Sequence, residues 1–202
     1  MPGLVVGLTG ALGAGKSTVA RVFARHGAVI VDADAVGHAM LAPGGPCFAA
    51  LVQRFGRNIV GEDGAIVRAA LGRRAFGEPG GVDALNAIVH PPLVDELRRQ
   101  VDDAVRAGRI AVIDAALLLE WGSPVPLDRL IVVTAPEAER VARAGQRMGL
   151  TQDETRDRLA AQMSEDDKVR RADVLIENTG SLGDLEAKAE AAWADLARMN
   201  GV

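Results

Sequence analysis

The stretch GLTGALGAGKST, residues 7–18, determines how the rest of this sequence is interpreted. It contains four glycines and ends on a lysine followed by two hydroxyl side chains. Residues 10–17 match the pattern G-x-x-x-x-G-K-[ST], in which glycines let the backbone turn its N–H groups inward around an anion. An apolar run at residues 4–9 precedes the pattern, and helical spacing follows it. The sequence therefore predicts a phosphate-binding loop between a buried strand and a helix.

Each residue of this loop is a candidate contact for nucleotide phosphates. We expect the lysine to reach the β- and γ-phosphates and the serine to offer its hydroxyl to Mg²⁺, while the helix N-terminus adds partial positive charge. The candidate residues are Gly10, Ala11, Leu12, Gly13, Ala14, Gly15, Lys16, Ser17 and Thr18.

Four further apolar runs predict strands that alternate with helical patterns. They lie at residues 28–32, 109–114, 129–134 and 173–177. Alternation of strand and helix is typical of a parallel sheet in a doubly wound α/β fold. Helical spacing at residues 17–24 and an amphipathic pattern at 184–199 supply flanking helices.

Two segments are too long to be plain connections between strands. Residues 35–108 contain several helical patterns separated by Pro43, Gly44-Gly45, residues 79–81 and Pro91-Pro92. We expect a helical insertion here that forms a wall for a substrate. Residues 136–171 are helical and rich in arginine, which fits a solvated face or, for a few of the arginines, a cover over phosphates.

Composition argues for a soluble cytoplasmic protein without a nucleic-acid or membrane partner. The formal net charge is −4, whereas nucleic-acid-binding modules usually carry a basic excess. The single cysteine, Cys47, excludes an intrachain disulfide, and we expect it to be a small buried residue. No apolar stretch approaches the ~20 residues needed to cross a bilayer. Nothing in the sequence indicates an oligomeric state.

Three aspartates at predicted strand ends are the candidate acid–base and metal groups. Asp32 and Asp34 follow the second strand, where one intervening residue would aim both carboxylates the same way along extended backbone. Asp34 lies further out and is the preferred general base, although it also suits the N-cap of a following helix. Asp114 ends the third strand, where a carboxylate typically holds a magnesium-bound water.

The phosphate loop alone leaves three functional classes open: a small-molecule kinase, a GTPase switch and an ATPase module of a larger machine. Residues 34–37 fit D-x-x-G, but the sequence contains no N-K-x-D motif for reading guanine. The short chain, the helical insertion and the arginine-rich segment favour the kinase, because closure of such parts excludes water as a competing acceptor.

Several further segments resemble the dephospho-CoA kinase family in the same order along the chain. The opening GLTGALGAGKST followed by VIVDADAVGHAML is similar to that family's N-terminus. Residues 64–68 resemble its G-x-h-x-R stretch, ALNAIVHPPL its L-x-x-I-x-H-P segment and DAALLLE its D-x-P-L-L-x-E segment. The residues from Gln162 to Gly180 resemble its closing Q…A-D-x-x-I-x-N-x-G pattern. The departures are Ala11, where the family usually has glycine, and Ala116, where it usually has proline.

The resemblance implies transfer of the γ-phosphoryl group of ATP to the ribose 3′-hydroxyl of dephospho-CoA. It also implies a P-loop nucleotide-kinase-like fold, with a five-stranded parallel core (about 1–34, 109–135 and 172–202), a helical CoA-binding insertion (about 35–108) and a lid (about 136–171). The implied cofactors are ATP and Mg²⁺. A related nucleoside or nucleotide kinase with another hydroxyl acceptor is the alternative.

The resemblance further assigns roles to side chains outside the loop. Asp34 would be the base and Asp32 a substrate contact, while Arg140 would be the lid arginine at the phosphates, with Arg147 as an alternative. Arg68 and His90 would line the substrate site, although from its position before Pro-Pro alone His90 suits a structural place at a helix start. The role of Glu120, structural or substrate-binding, stays open.

Overall fold

Five parallel strands form the central sheet of the protein. The structure, a computed structural model, describes residues 3–148, 151, 159 and 162–201. The strands are β1 (Val5–Thr9), β2 (Val29–Asp32), β3 (Ala111–Asp114), β4 (Arg129–Thr134) and β5 (Val174–Glu177), and their order is β2-β3-β1-β4-β5. The predicted five-stranded parallel α/β fold is confirmed. Because β1 lies between β3 and β4, the loop that follows it opens at the carboxyl edge near the centre of the sheet.

The helices of the described residues connect and flank these strands. In chain order they are α1 (Lys16–Arg25), α2 (Ala33–Leu41), α3 (Phe48–Phe55), α4 (Arg68–Phe76), α5 (Gly81–Arg106), α6 (Leu118–Trp121), α7 (Glu137–Met148), α8 (Glu165–Val169) and α9 (Leu182–Asn200). A reciprocal pair of hydrogen bonds between Ser181 and Asp184 caps the start of α9. None of the described helices is long and apolar enough to cross a membrane.

The chain divides into two compact units. The first comprises Met1–Asp32 and Gln100–Val202 and contains the whole sheet. The second comprises Ala33–Arg99 and is helical. The division into core, CoA-binding insertion and lid at the boundaries given above stays a prediction.

The core of the first unit is built mostly from aliphatic side chains between the sheet and helices α1 and α9. Val6 and Leu8 of β1 and Phe23 of α1 are fully buried in it. The ring of Phe23 lies 5.7 Å from the ring of Trp193 on α9. Ala189 lets α9 approach closely, since its small side chain is also fully buried. With so few aromatic residues in the chain, this one pair carries a large share of the core's aromatic packing.

The second unit packs α3 and α4 around a short 3-10 turn at Arg57–Ile59. Leu51, Phe55 and Leu71 are buried there, together with Ile59 of the turn itself. An antiparallel bridge between Val60 and Ile66 closes the connection to α4. Apolar residues at helical spacing thus give this unit a buried face of its own.

Pro91 and Pro92 do not separate two helices, and the prediction of a helix break there is wrong. Helix α5 continues through both prolines. Proline lacks the N–H that would bond the carbonyl four residues earlier, so Pro92 leaves the carbonyl of Ile88 without its helical partner. The thiol of Cys47 donates to that carbonyl at 3.5 Å. Cys47 is buried, as expected, and burial raises the pKa of its thiol.

The packing of Phe23 leads to a stability prediction. We expect Phe23→Ala to lower the free energy of unfolding by about 3–5 kcal/mol, because it leaves a cavity under α9. Phe76→Ala is the matched control, since Phe76 is 79% exposed, and we expect it to stay within about 0.5 kcal/mol of the original protein. Urea unfolding of both variants measures the difference, and equal losses would contradict this account of the core.

Candidate active site

Three glycines give the loop between β1 and α1 its shape. Gly10, Gly13 and Gly15 have φ values of 150°, 80° and 107°, in the region that side chains other than glycine rarely adopt. Packing adds a second constraint. A Cβ on Gly10 would lie 2.2 Å from the carbonyl oxygen of Val133, and one on Gly13 would lie 2.4 Å from that of Arg140. The loop is therefore held open by close backbone contacts that any larger residue would disrupt.

Lys16 and Ser17 follow the last of these glycines at the start of α1. The ammonium group of Lys16 donates to the carbonyl of Gly10 at 3.2 Å, so the lysine side chain lies along the loop and joins its two ends. Ser17 is exposed. Ala11 causes no backbone strain where the family usually has glycine, because among the described residues only glycines have a positive φ.

Asn178 supports the loop from behind, although it is not among the residues predicted for the site. It follows β5, is buried, and donates from its side-chain amide to the carbonyl of Ala14 at 2.9 Å. Its own backbone N–H bonds the carbonyl of Thr134 at 2.7 Å, at the end of β4. A Cβ on Gly15 would lie 2.7 Å from the Asn178 amide nitrogen. Asn178 thus links the phosphate loop to the ends of two strands.

Two of the predicted carboxylates lie side by side at the carboxyl edge of the sheet. Asp32 and Asp114 are register partners on β2 and β3, and Asp114 is also paired with Leu8, two residues before the loop. Asp32 is exposed and Asp114 is half-buried. The first unit therefore brings together the loop, Ser17 and both carboxylates.

These groups fit a magnesium ion that is held mainly by phosphate and water. No cluster of three or more His, Cys, Asp or Glu side chains with metal-binding geometry occurs in the described part of the chain. Mg²⁺ at phosphate sites typically takes only one or two ligands from the protein and keeps several waters. Ser17 and Asp114 supply groups of the required kind beside the loop.

A buried ion pair lies next to this edge of the sheet. The side chain of Lys168, on α8, is only 1% exposed, and its ammonium nitrogen lies 3.0 Å from Glu120 Oε1. The same ammonium group donates to the carbonyl of Ala116 at 2.9 Å. The Thr9 hydroxyl bonds that carbonyl as well, at 3.3 Å. Lys168 therefore fixes the segment that directly follows Asp114.

The carboxylate of Glu120 is bonded by two groups of the protein, the ammonium group of Lys168 and the backbone N–H of Met163. Besides Lys168, its Oε1 accepts the backbone N–H of Met163 at 2.8 Å. Burial disfavours the carboxylate, but the bonds from Met163 and Lys168 outweigh burial and hold the pKa of Glu120 below its ordinary value. A substrate contact by Glu120 stays a prediction, and the contacts described here favour a structural role.

Arg140 forms a second ion pair beside the loop. Its guanidinium donates from Nε to the carbonyl of Ala135 at 2.9 Å and lies 2.7 Å from Glu165 Oε2. Burial raises the pKa of Glu165, an effect that the Arg140 charge partly offsets. A pocket of about 410 Å³ opens here, lined by both side chains and by Thr134, Leu175 and Thr179. Because the backbone of Arg140 contacts the loop at Gly13, this pocket adjoins the phosphate loop.

Some predicted residues of the arginine-rich segment lie outside the described structure. Arg147 belongs to the last turn of α7, and its side chain is not among the described parts. The expected lid also includes residues 149–150, 152–158 and 160–161, which lie outside the described residues. The roles of Arg140 and Arg147 at the phosphates stay predictions.

The remaining predicted residues belong to the second unit. Asp34 is exposed in the first turn of α2, because the helix begins at Ala33. The expectation that Asp32 and Asp34 share extended backbone is therefore wrong. Arg68 is exposed as the first residue of α4. His90 is exposed within α5 rather than at a helix start, since that helix runs through the prolines that follow it.

A family model and curated relatives agree on one family. A family model described as dephospho-CoA kinase matches residues 4–184. A relative from Symbiobacterium thermophilum named dephospho-CoA kinase is 45% identical over 190 residues, which cover 94% of this chain and 80% of the relative. A crystal structure of TT1252 from Thermus thermophilus has a TM-score of 0.80 and 36% identity, covering 97% of this chain and 99% of that one. A dephospho-CoA kinase from Campylobacter jejuni, at 21% identity, 96% and 97% coverage and a TM-score of 0.66, shares the fold.

The buried ion pair leads to a second stability prediction. We expect Glu120→Gln to lower the free energy of unfolding by about 3–5 kcal/mol at pH 7, because it leaves the Lys168 charge buried without its partner. Lys168→Met should recover part of this loss when combined with Glu120→Gln. Lys188→Met is the control, since Lys188 is exposed and its ammonium group donates to the carbonyl of Glu177 at the surface. Urea unfolding provides the measurement.

The lowered pKa of Glu120 sets the pH dependence of this effect. A carboxylate whose pKa is lower in the folded state stabilises the protein above its ordinary pKa, here 4.5. The contribution is lost as the pH falls through the folded value. The difference between the original protein and Glu120→Gln should therefore shrink below pH 4.5. A difference that is constant down to strongly acidic pH would contradict the ion-pair account.

Proposed function

Because the chain belongs to the dephospho-CoA kinase family, we propose that it transfers the γ-phosphoryl group of ATP to the ribose 3′-hydroxyl of dephospho-CoA. The products are CoA and ADP. The observation that carries this proposal is the intact phosphate loop, with Lys16 lying along it, within a family match that covers residues 4–184. We place the reaction in the cytoplasm, with neither a nucleic acid nor a membrane as partner.

The first unit supplies the groups that would bind the donor. Amides of the loop and the Lys16 ammonium would hold the β- and γ-phosphates, and the pocket at Arg140 would take part of the remaining nucleotide. Ser17 and Asp114 would hold Mg²⁺, which neutralises charge on the phosphates when it is bound. Arg140 would contact the phosphates by exchanging its Glu165 partner for the anion.

The second unit supplies the groups that would bind the acceptor. Asp34 would accept the proton of the 3′-hydroxyl as the hydroxyl oxygen forms its bond to the γ-phosphorus and the bond from that phosphorus to the bridging oxygen breaks. Arg68 and His90 are exposed on this unit and would contact the substrate together with Asp32. The expected insertion at 35–108 and lid at 136–171 would enclose the reacting groups and exclude water.

The choice of acceptor is the first test. In an assay that couples ADP release to a visible signal, we expect turnover with dephospho-CoA and only background rates with AMP, CMP or adenosine. The common phosphate loop cannot make this distinction, so the result reports on the acceptor site. Turnover of a nucleotide or nucleoside without turnover of dephospho-CoA would replace the proposal with the related kinase named above.

The choice of base is the second test. We expect Asp34→Asn to lower kcat by about 100-fold or more, because it removes the proton acceptor, and to leave ATP affinity nearly unchanged. Asp32→Asn is the matched variant, two residues away on the same connection, and should affect the dephospho-CoA KM more than kcat. Wild-type turnover by Asp34→Asn, with a large loss of kcat in Asp32→Asn, would reverse the two assignments.

A further inference from the structure

Gln162 contacts the phosphate loop from a position 150 residues away along the chain. Its side-chain oxygen accepts the backbone N–H of Leu12 at 3.3 Å. Leu12 is in the first half of the loop, whereas Lys16 and Ser17 begin the helix at the other end. No role in the mechanism above falls to Gln162.

The contact with Leu12 fixes how the side-chain amide of Gln162 is oriented. A backbone N–H can only donate, so the atom it meets must be the carbonyl oxygen of the side chain. The NH₂ group of the same planar amide then supplies two further donors beside the loop. Uncharged N–H donors next to a phosphate loop are suited to anionic oxygens.

The backbone on both sides of Gln162 is held in place. Its own N–H bonds the carbonyl of Leu159 at 3.1 Å. The next residue, Met163, donates its N–H to Glu120 Oε1, the same oxygen that pairs with the buried ammonium group of Lys168. The ion pair therefore anchors Gln162 to the segment that follows Asp114.

We propose that Gln162 binds the terminal phosphate of ATP. Its side-chain oxygen holds the Leu12 amide, and its NH₂ group donates to an oxygen of the γ-phosphate. The choice of the γ-phosphate follows from the anchoring. Ala116 and Glu120 lie two and six residues after Asp114, the carboxylate that would hold the magnesium ion that neutralises charge on the transferred phosphate. This inference rests on the proposed function for the identity of the donor, and not on the identity of the acceptor.

Gln162→Glu separates binding of phosphate from support of the loop. Glutamate has the same shape and keeps an oxygen for the Leu12 N–H, but it replaces the two N–H donors with negative charge. A residue that only supports the loop would tolerate this change. A donor to the γ-phosphate would not, because its hydrogen bond is replaced by repulsion between like charges.

The experiment measures nucleotide affinity without any acceptor, by calorimetry in the presence of MgCl₂. We expect Gln162→Glu to bind the β,γ-imido analogue of ATP about 10-fold or more weakly than the original protein does. Its affinity for ADP, which lacks the γ-phosphate, should change by less than about 3-fold. Gln146→Glu is the matched control, because it adds the same charge at an exposed position of α7 and should alter neither affinity.

Two results would overturn the proposal. Unchanged affinity for the ATP analogue would show that no donor was lost. Equal losses of affinity for the analogue and for ADP would show that Gln162 acts through the shape of the loop.

A second variant serves if thermal unfolding shows that Gln162→Glu does not fold. Gln162→Met removes the donors without adding charge, and it should also lower the affinity for the analogue more than the affinity for ADP. Failure of the dephospho-CoA assay would leave these binding results intact, so the two proposals fail separately.

Discussion

The phosphate loop depends on backbone packing that leaves no room for side chains at its glycines. Gly10 and Gly13 are needed for their positive φ, and also because carbonyl oxygens of β4 and α7 lie where a Cβ would be. Asn178, which follows β5, adds a further constraint because its side-chain amide donates to the carbonyl of Ala14. The loop is thus shaped by the sheet and helices around it, so its N–H groups are preorganised for phosphate before any ligand arrives.

Features that depend on neighbouring residues were predictable from the sequence, and those that depend on distant contacts were not. The five strands, the loop and α1 follow from hydrophobic runs and glycine spacing, which are local properties. The break at Pro91-Pro92 was predicted wrongly, because the partner that satisfies the freed Ile88 carbonyl is Cys47, 41 residues away. Local propensity gave no sign of that compensation.

The supporting residues of the site were missed for the same reason. Asn178 and Gln162 bond loop residues that are 164 and 150 positions distant, so hydrophobic periodicity does not predict these bonds, although both residues belong to the closing family pattern. Lys168 lies in a highly charged stretch, SEDDKVRR, which is typical of a solvated face. Its side chain is nevertheless buried, because Glu120 and the Ala116 carbonyl compensate the charge. Resemblance to a family located the segments but not these contacts.

Because Lys168 is buried, a chemical reagent can distinguish the three lysine side chains of the protein. The sequence has three lysines, of which Lys188 is exposed, Lys16 is half-buried on the phosphate loop and Lys168 is enclosed. An amine-reactive probe would modify Lys188 freely, Lys16 according to nucleotide occupancy, and Lys168 only when α8 separates from the sheet. Mass spectrometry of the labelled peptides would then measure three properties in one sample: labelling of an exposed surface lysine, nucleotide occupancy of the site, and local unfolding at α8.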